Sequence, residues 1–360
     1  MSAIAQISPR VIIGVDTHKD KHVAVGLDHL GRRLGELICP STLAGYEALL
    51  EWAQNLGEIE SFGIEGTGSY GAGLCRFLSR QGLAVIEVNR PDRASRRLQG
   101  KSDPVDAEAA ARSIISGKAT SVPKANDDQV EMVRLLTVAR KSAIKARSQA
   151  IITLKSIVVS APEMLREQLR DLSNVELIRM CSRLRPGDLV DPISAAKTAL
   201  RSIACRYQSL DSEIKELSRQ RDALVNAAAP SLIAINGVGP DSAAILLTAA
   251  GDNPERLASE AAFAALCGVS PVQASSGKTV RHRLNRGGNR QANSAIYIVV
   301  MSRLRWDART KEYVDRRTAQ GCSNREIMRC LKRYVAREIY RALIADGKHR
   351  TAQKSIEQAA

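Results

Sequence analysis

Four carboxylates in the first third of the chain carry the clearest capacity for chemistry. Asp16 closes an apolar run, VIIGV (11–15), that reads as a β-strand, and Glu65 closes a shorter one, FGI (62–64). Strand ends of an α/β sheet are where reactive groups collect, because the sheet fixes their origin while the adjoining loops stay free. Asp103 and Asp106 stand three apart at a helix start, so both can project from one face. Four converging carboxylates are what one or two Mg²⁺ ions need to activate a nucleophile and stabilise a leaving oxygen at phosphorus. Each acid also has a plainer explanation. Asp103 before Pro104 reads as an N-cap with a first-turn proline, and Asp106 as an acid favoured by the helix dipole. Asp16 reads equally as a hairpin residue, and Glu65 in EGTGSYG as the lead-in to a Gly-rich turn. The set is informative where no single member is.

A second group lies far downstream. Ser276 precedes Gly277 and is followed by Lys278, Arg281, His282, Arg283, Arg286 and Arg290. A serine hydroxyl is a poor nucleophile unless one group takes its proton and another stabilises charge at phosphorus. Clustered guanidiniums meet the second need, and a metal held by the acids helps with the first. Composition alone favours the plainer reading, a solvated basic loop with a common Ser-Gly turn. Upstream, INGVGP (235–240) sits between two helical runs in the manner of a helix-hairpin-helix. Gly237 and Gly239 there would let backbone N–H groups approach a phosphate at a helix N-terminus, against the alternative of an ordinary interhelical turn.

The elements that must position these groups follow from the patterning. HVAVGL (22–27) and residues 35–39 extend the first strand into an antiparallel arrangement. Helical stretches at 46–55 and 74–80 then alternate with strands at 62–64 and 83–88. This predicts an α/β domain with a mixed sheet over residues 1–120. A helical region follows over 121–229, opening on a linker, SVPKANDD (121–128), and a long basic helix, 129–160. Ile193, Ala196, Leu200, Ile203, Tyr207, Leu210, Ile214, Leu217, Arg221 and Leu224 then form a heptad seam with Arg221 as its one charged intruder. Such a seam serves a coiled coil between chains or a helical hairpin within one. Residues 230–345 make a mainly helical C-terminal domain, and 346–360 read as a flexible tail.

Composition sets the outer bounds. The 360 residues include 53 Lys plus Arg against 38 Asp plus Glu, a formal charge of +15, so a polyanionic partner is expected. Aromatic residues are only 3%, which favours phosphate contacts over base-stacking platforms. No signal-peptide pattern or membrane-length apolar run is present, and the seven cysteines show no CxxC or Cys/His metal spacing. A reduced, cytoplasmic setting is expected.

Taken together, GVDTHKDKHVAV, GIEGTGSYG and KSDPVDAEAAARS resemble the DEDD transposases of the IS110 type. The later run from NGVGPDSAAILLTAAGD through FAALCGVSPVQASSGKTVRHRLNRGGNRQAN resembles the second domain of the same family, in the same order. The resemblance implies a RuvC-like, ribonuclease-H-fold N-terminal domain with its acidic tetrad on Asp16, Glu65, Asp103 and Asp106. It implies a nucleophilic serine at Ser276, with Ser275 its tandem neighbour. It further implies Mg²⁺, donor and target DNA, a bridge non-coding RNA that pairs with both, and a homo-oligomer, a dimer or tetramer, working at the bacterial nucleoid. The expected function is insertion-sequence recombination through a covalent phosphoserine intermediate. The alternatives are a metal-dependent junction-resolving nuclease with a structural Ser276, or a non-catalytic nucleic-acid scaffold whose acids are helix caps.

Overall fold

A computed structural model of the chain describes residues 10–88, 102–253, 256–275, 277, 282–283 and 285–359. They pack as two units, one within the ranges 1–128, 250–263 and 347–360, the other within 129–249 and 264–346.

In the first unit, β1 (Arg10–Thr17), β2 (Lys21–Asp28) and β3 (Arg33–Pro40) form an antiparallel meander. After α1 (Leu43–Leu56) the chain returns as β4 (Glu58–Glu65) parallel to β1, and after α2 (Ala72–Arg80) as β5 (Val85–Val88) parallel to β4. The sheet order is therefore β3-β2-β1-β4-β5, with β1 central. A central strand is covered on both faces, which is why VIIGV is apolar without alternation. Val11, Ile13 and Val15 face a core shared with Leu49 and Ala53 of α1 and with Leu74 and Leu78 of α2. Ile12, on the opposite face, packs with Val25, Leu27, Ala107 and Ala111 under α3 (Asp103–Ile115).

Helix α3 lies unusually low on the sheet. A Cβ at Gly14 would stand 2.0 Å from the carbonyl oxygen of Ala107 and 2.6 Å from the nitrogen of Ala111. One at Gly63 of β4 would stand 3.2 Å from the carbonyl oxygen of Ala110. Side-chain-free positions on two neighbouring strands and an alanine face on the helix together permit this approach. The segment 121–128, expected as a linker, is tied to this unit. Ser121 bridges Glu87, Asn253 Nδ2 donates to the Pro123 carbonyl at 2.9 Å, and Arg256 Nε donates to that of Val122 at 3.1 Å.

The second unit is helical. Helix α4 (Gln129–Ser160) and helix α7 (Pro192–Ala228) pair lengthwise within the chain, with α5 (Glu163–Leu169) and α6 (Asn174–Ser182) closing one end around Leu154, Val158, Leu165, Leu177, Leu200 and Ala204. The seam is thus used in an intramolecular hairpin. Its buried line runs through Leu200, Ala204, Ile214, Arg221 and Val225, while Ile203, Leu210, Leu217 and Leu224 are only half-buried. Arg147 pairs with Asp211 and lies over the Tyr207 ring, and Arg140 Nε donates to Ser218 Oγ at 2.7 Å. The intruder Arg221, 2% exposed, is satisfied by Asp222 and by Asp241, each at 2.6 Å. A buried guanidinium is tolerable only when its charge is answered in this way.

The remaining described helices are α8 (Pro230–Ile233), α9 (Pro240–Ala250), α10 (Glu260–Leu266), α11 (Arg290–Trp306), α12 (Ala308–Ala319) and α13 (Asn324–Ala359), with a two-stranded ribbon of β6 (Val272–Gln273) and β7 (His282–Arg283). Residues 346–360, expected as a flexible tail, are instead the last turns of α13 as far as Ala359. After Gly347 that stretch contains neither glycine nor proline and is rich in helix formers.

Gly14→Ala is expected to force α3 off the sheet and lower stability by about 1–3 kcal/mol, the usual cost of overpacking. Thermal unfolding of the full chain measures it.

Candidate functional site

The parallel pairing of β1 with β4 places Val15 beside Ile64, so Asp16 and Glu65 leave adjacent strands at the same end of the sheet. Asp16 shares the α3 face with Ile12 and Gly14, two and four residues earlier, because side chains alternate along a strand. The Thr17 hydroxyl donates to the Glu65 carbonyl at 2.8 Å and ties the two strand ends together. Beyond Glu65 the chain turns sharply through Gly66, whose φ of 72° lies in the left-handed region that glycine occupies without strain.

Helix α3 brings the other two acids. Its N-cap is Ser102, so Asp103 and Pro104 already lie inside the first turn and Asp103 is not the cap the sequence suggests. Asp103 is engaged by His18 and Lys21 across the β1–β2 turn, with His18 Nε2 at 3.4 Å and Lys21 Nζ at 3.2 Å. The Lys21 hydrogen bond, with the charges of His18 and Lys21, holds the Asp103 carboxyl below its ordinary range. Asp16 moves the other way. Burial raises its pKa, His18 opposes that, and the charges of Glu65, Asp106 and Asp103 raise it further. The other three acids thus all act on Asp16, at the end of β1.

The tightest group among the described residues is Asp16, His18 and Asp103, whose ligand atoms all lie within 4.8 Å of one another. Glu65 and Asp106 stand outside that set and reach Asp16 through their charge. Three carboxylates crowding a fourth, half-buried one is a donor set that a divalent cation would relieve, and hard oxygen donors suit one. His18 went unread in the sequence. The signal was its position two residues after Asp16, just past the end of β1.

The downstream candidates divide. Ser276, Lys278 and Arg281 lie outside the described residues. Arg283, Arg286 and Arg290 are described and exposed, on β7, in the following loop and at the first turn of α11. Gly237, with φ 83°, turns the chain between α8 and α9, and a Cβ there would stand 3.2 Å from the carbonyl of Val299 on α11. Its positive φ and that close approach both favour glycine. Gly239 faces open space.

One basic feature was missed. A hollow of about 740 Å³ in the second unit is lined by Arg283 of β7, Arg317 of α12, and Arg329, Lys332, Arg333 and Arg337 of α13, with Glu326 as an acid among them. Arg329, Arg333 and Arg337 recur every four residues, so one helix face presents all three. That spacing was readable; its convergence with β7 was not. Cysteines are free throughout, and burial pushes the Cys267 thiol up to about 12, which leaves it protonated and inert. No described helix is long and apolar enough to cross a membrane.

An acidic cluster at the central strand of a mixed sheet, followed by a basic helical unit, defines the class into which comparison with known proteins places the chain. Residues 13–161, which include all four acids, match the family model for DEDD transposases of the IS110 type, described as "Transposase". Residues 229–315 match a second model, "Transposase IS116/IS110/IS902 family". The two together cover about two thirds of the sequence, and the chain belongs to the IS110 family of insertion-sequence transposases. It is also similar to "Insertion element IS110 uncharacterized 43.6 kDa protein" of Streptomyces coelicolor, with 28% identity over 194 residues, 51% of this chain and 47% of that protein. The chain thus spans about half the length of that curated relative.

Asp16→Asn is expected to raise the unfolding midpoint of the metal-free protein near neutral pH. The folded state holds the Asp16 pKa above its ordinary value, so the ionised carboxylate costs stability, and that cost grows as pH rises through the folded pKa. The gain should vanish below the ordinary carboxylate range. Scanning calorimetry against pH measures it.

Proposed function

We propose that the protein is a DNA transposase that cuts and exchanges strands of an insertion sequence, with the four acids holding a divalent ion, Mg²⁺, and Ser276 as nucleophile. The observation that carries the reading is the convergence of Asp16, Glu65, Asp103 and Asp106 on one strand end, within a segment matching a DEDD transposase model. The strand order, with an antiparallel β1–β2–β3 meander and parallel β4 and β5, supports a RuvC-like ribonuclease-H fold for the first unit.

In the proposed reaction the Ser276 hydroxyl attacks a DNA phosphodiester. A phosphoserine bond forms, the bond to the 3′ oxygen breaks, and the serine proton passes to solvent while the leaving oxygen gains one as a 3′-hydroxyl. The 3′-hydroxyl of a partner strand then attacks that phosphoserine, restoring a phosphodiester and the free serine. Bond number is conserved and no nucleotide triphosphate is consumed. When bound, the divalent ion supplies positive charge at the scissile phosphate. The cations of the hollow, together with Lys278, Arg281, Arg283, Arg286 and Arg290, hold flanking phosphates without reading bases. The turn with Gly237 and Gly239 is a further backbone contact of the helix-hairpin-helix kind.

Sequence choice falls in this reading to a bridge RNA paired with donor and target DNA, which suits a chain with 3% aromatic residues and a charge of +15. Assembly into a dimer or tetramer, bringing one copy's serine to another's acids, is supported by the exposed apolar side chains of Leu135, Val138 and Ile152 on α4.

Covalent trapping tests the proposal. Wild-type protein with its element's DNA and flanking RNA should give a protein–DNA adduct that Ser276→Ala abolishes and Asp106→Asn reduces at least a hundredfold. Strand cleavage undiminished by Ser276→Ala would replace this reading with a metal-only nuclease. Separately, Arg283→Ala with Arg329→Ala should weaken duplex binding and flatten the salt dependence by about one to two units of slope. Fluorescence anisotropy across a salt series measures that.

A further inference from the structure

We infer that His18 is a ligand of the divalent ion, binding it through Nε2 beside Asp16 and Asp103, and that the site consequently prefers Mn²⁺ to Mg²⁺. The inference rests on the reading that the acids hold a metal, and adds a donor the four-carboxylate set does not contain.

The placement comes from the strand. Asp16 is the penultimate residue of β1 and His18 the first residue beyond it, where the chain turns toward β2 and His18 reaches Asp103 at the start of α3. The β1–β2 turn holds the backbone there, with the His18 N–H donating to the Lys21 carbonyl at 3.1 Å. Nε2 then lies 3.1 Å from Asp16 Oδ2 and 3.4 Å from Asp103 Oδ1. Neighbouring ligands of a six-coordinate ion with bonds near 2.1 Å are separated by about 3 Å, so both spacings suit groups sharing one cation.

The state of the nitrogen points the same way. Nε2 is enclosed, with two carboxylate oxygens from different elements within ion-pair distance. The ring is otherwise 42% exposed. Only the edge turned toward the acids is enclosed, which is the orientation of a ligand whose lone pair faces the position between them. Lys21, on Asp103 Oδ2 at 3.2 Å, supplies a counter-charge that a bound cation would replace.

A nitrogen donor alters metal choice. Mg²⁺ favours an all-oxygen shell and keeps its waters, whereas imidazole suits first-row transition ions. Two carboxylates and one imidazole still admit Mg²⁺, but they bind Mn²⁺ more tightly.

The test uses the full-length protein with Mn²⁺ as the probe, read by titration and by pulsed electron paramagnetic resonance. Bound Mn²⁺ should show coupling to a directly ligated ¹⁴N, converted to the ¹⁵N pattern when the wild-type protein is grown with ¹⁵N-histidine. That arm needs no variant and so does not depend on one folding. His18→Gln should remove the coupling and weaken Mn²⁺ about tenfold while changing Mg²⁺ affinity less. Mn²⁺ bound in a manner abolished by Asp16→Asn, with no histidine coupling, would overturn the role of His18 and leave the acidic metal site standing. Failure of the wild-type protein to bind Mn²⁺ or Mg²⁺ would overturn both.

Discussion

The close approach of α3 to the central sheet is the constraint on which the acidic site depends. Helices that pack on a sheet through large side chains stand well away from it; here Gly14 and Gly63 meet an Ala107, Ala110, Ala111 face, and backbone touches backbone. This closeness lowers the helix start to the level of the β1 end and so brings Asp103 and Asp106 to Asp16. The orientation is fixed by shape, since a carbon added at Gly14 would meet the α3 backbone.

The site so formed gathers like charges. Asp16 is half-buried among three other acids, and Lys21, with His18 beside it, lies on Asp103. The contrast with Arg221 is instructive. There a buried charge has two carboxylates of opposite sign and is a settled part of the helical hairpin. At the β1 end the charges are alike, which costs stability and is sustained because the sheet and α3 over-determine their positions.

The two units differ in chemistry as well as in fold. The first concentrates acids on a rigid sheet; the second spreads guanidiniums over helices and a short ribbon around a hollow. Acids that hold a small, hard ion must be placed within tenths of an ångström, which a central strand can do. Phosphates of a flexible polymer are met well enough by long arginine side chains projecting from separate elements.

The sequence by itself determined the strands and helices of the first unit, the four acids at their ends and the basic second half, because strand and helix periodicities are local and charge is simply counted. It named the transposase family through motifs at fixed spacing, and residues 13–161 and 229–315 match models of that family. It left the seam of residues 193–224 open between two pairings and described 121–128 as a linker and 346–360 as a tail. Tertiary structure decided those points: the seam closes on α4, Asn253 and Arg256 hold the supposed linker, and the tail continues α13. It also decided that His18 stands beside Asp16 and that Ser102, not Asp103, holds the N-cap position of α3. These are contacts between residues distant in the chain, or between side chains whose facing depends on a turn. Local pattern records which residues can take part in such contacts; only the packing of whole elements selects the partners.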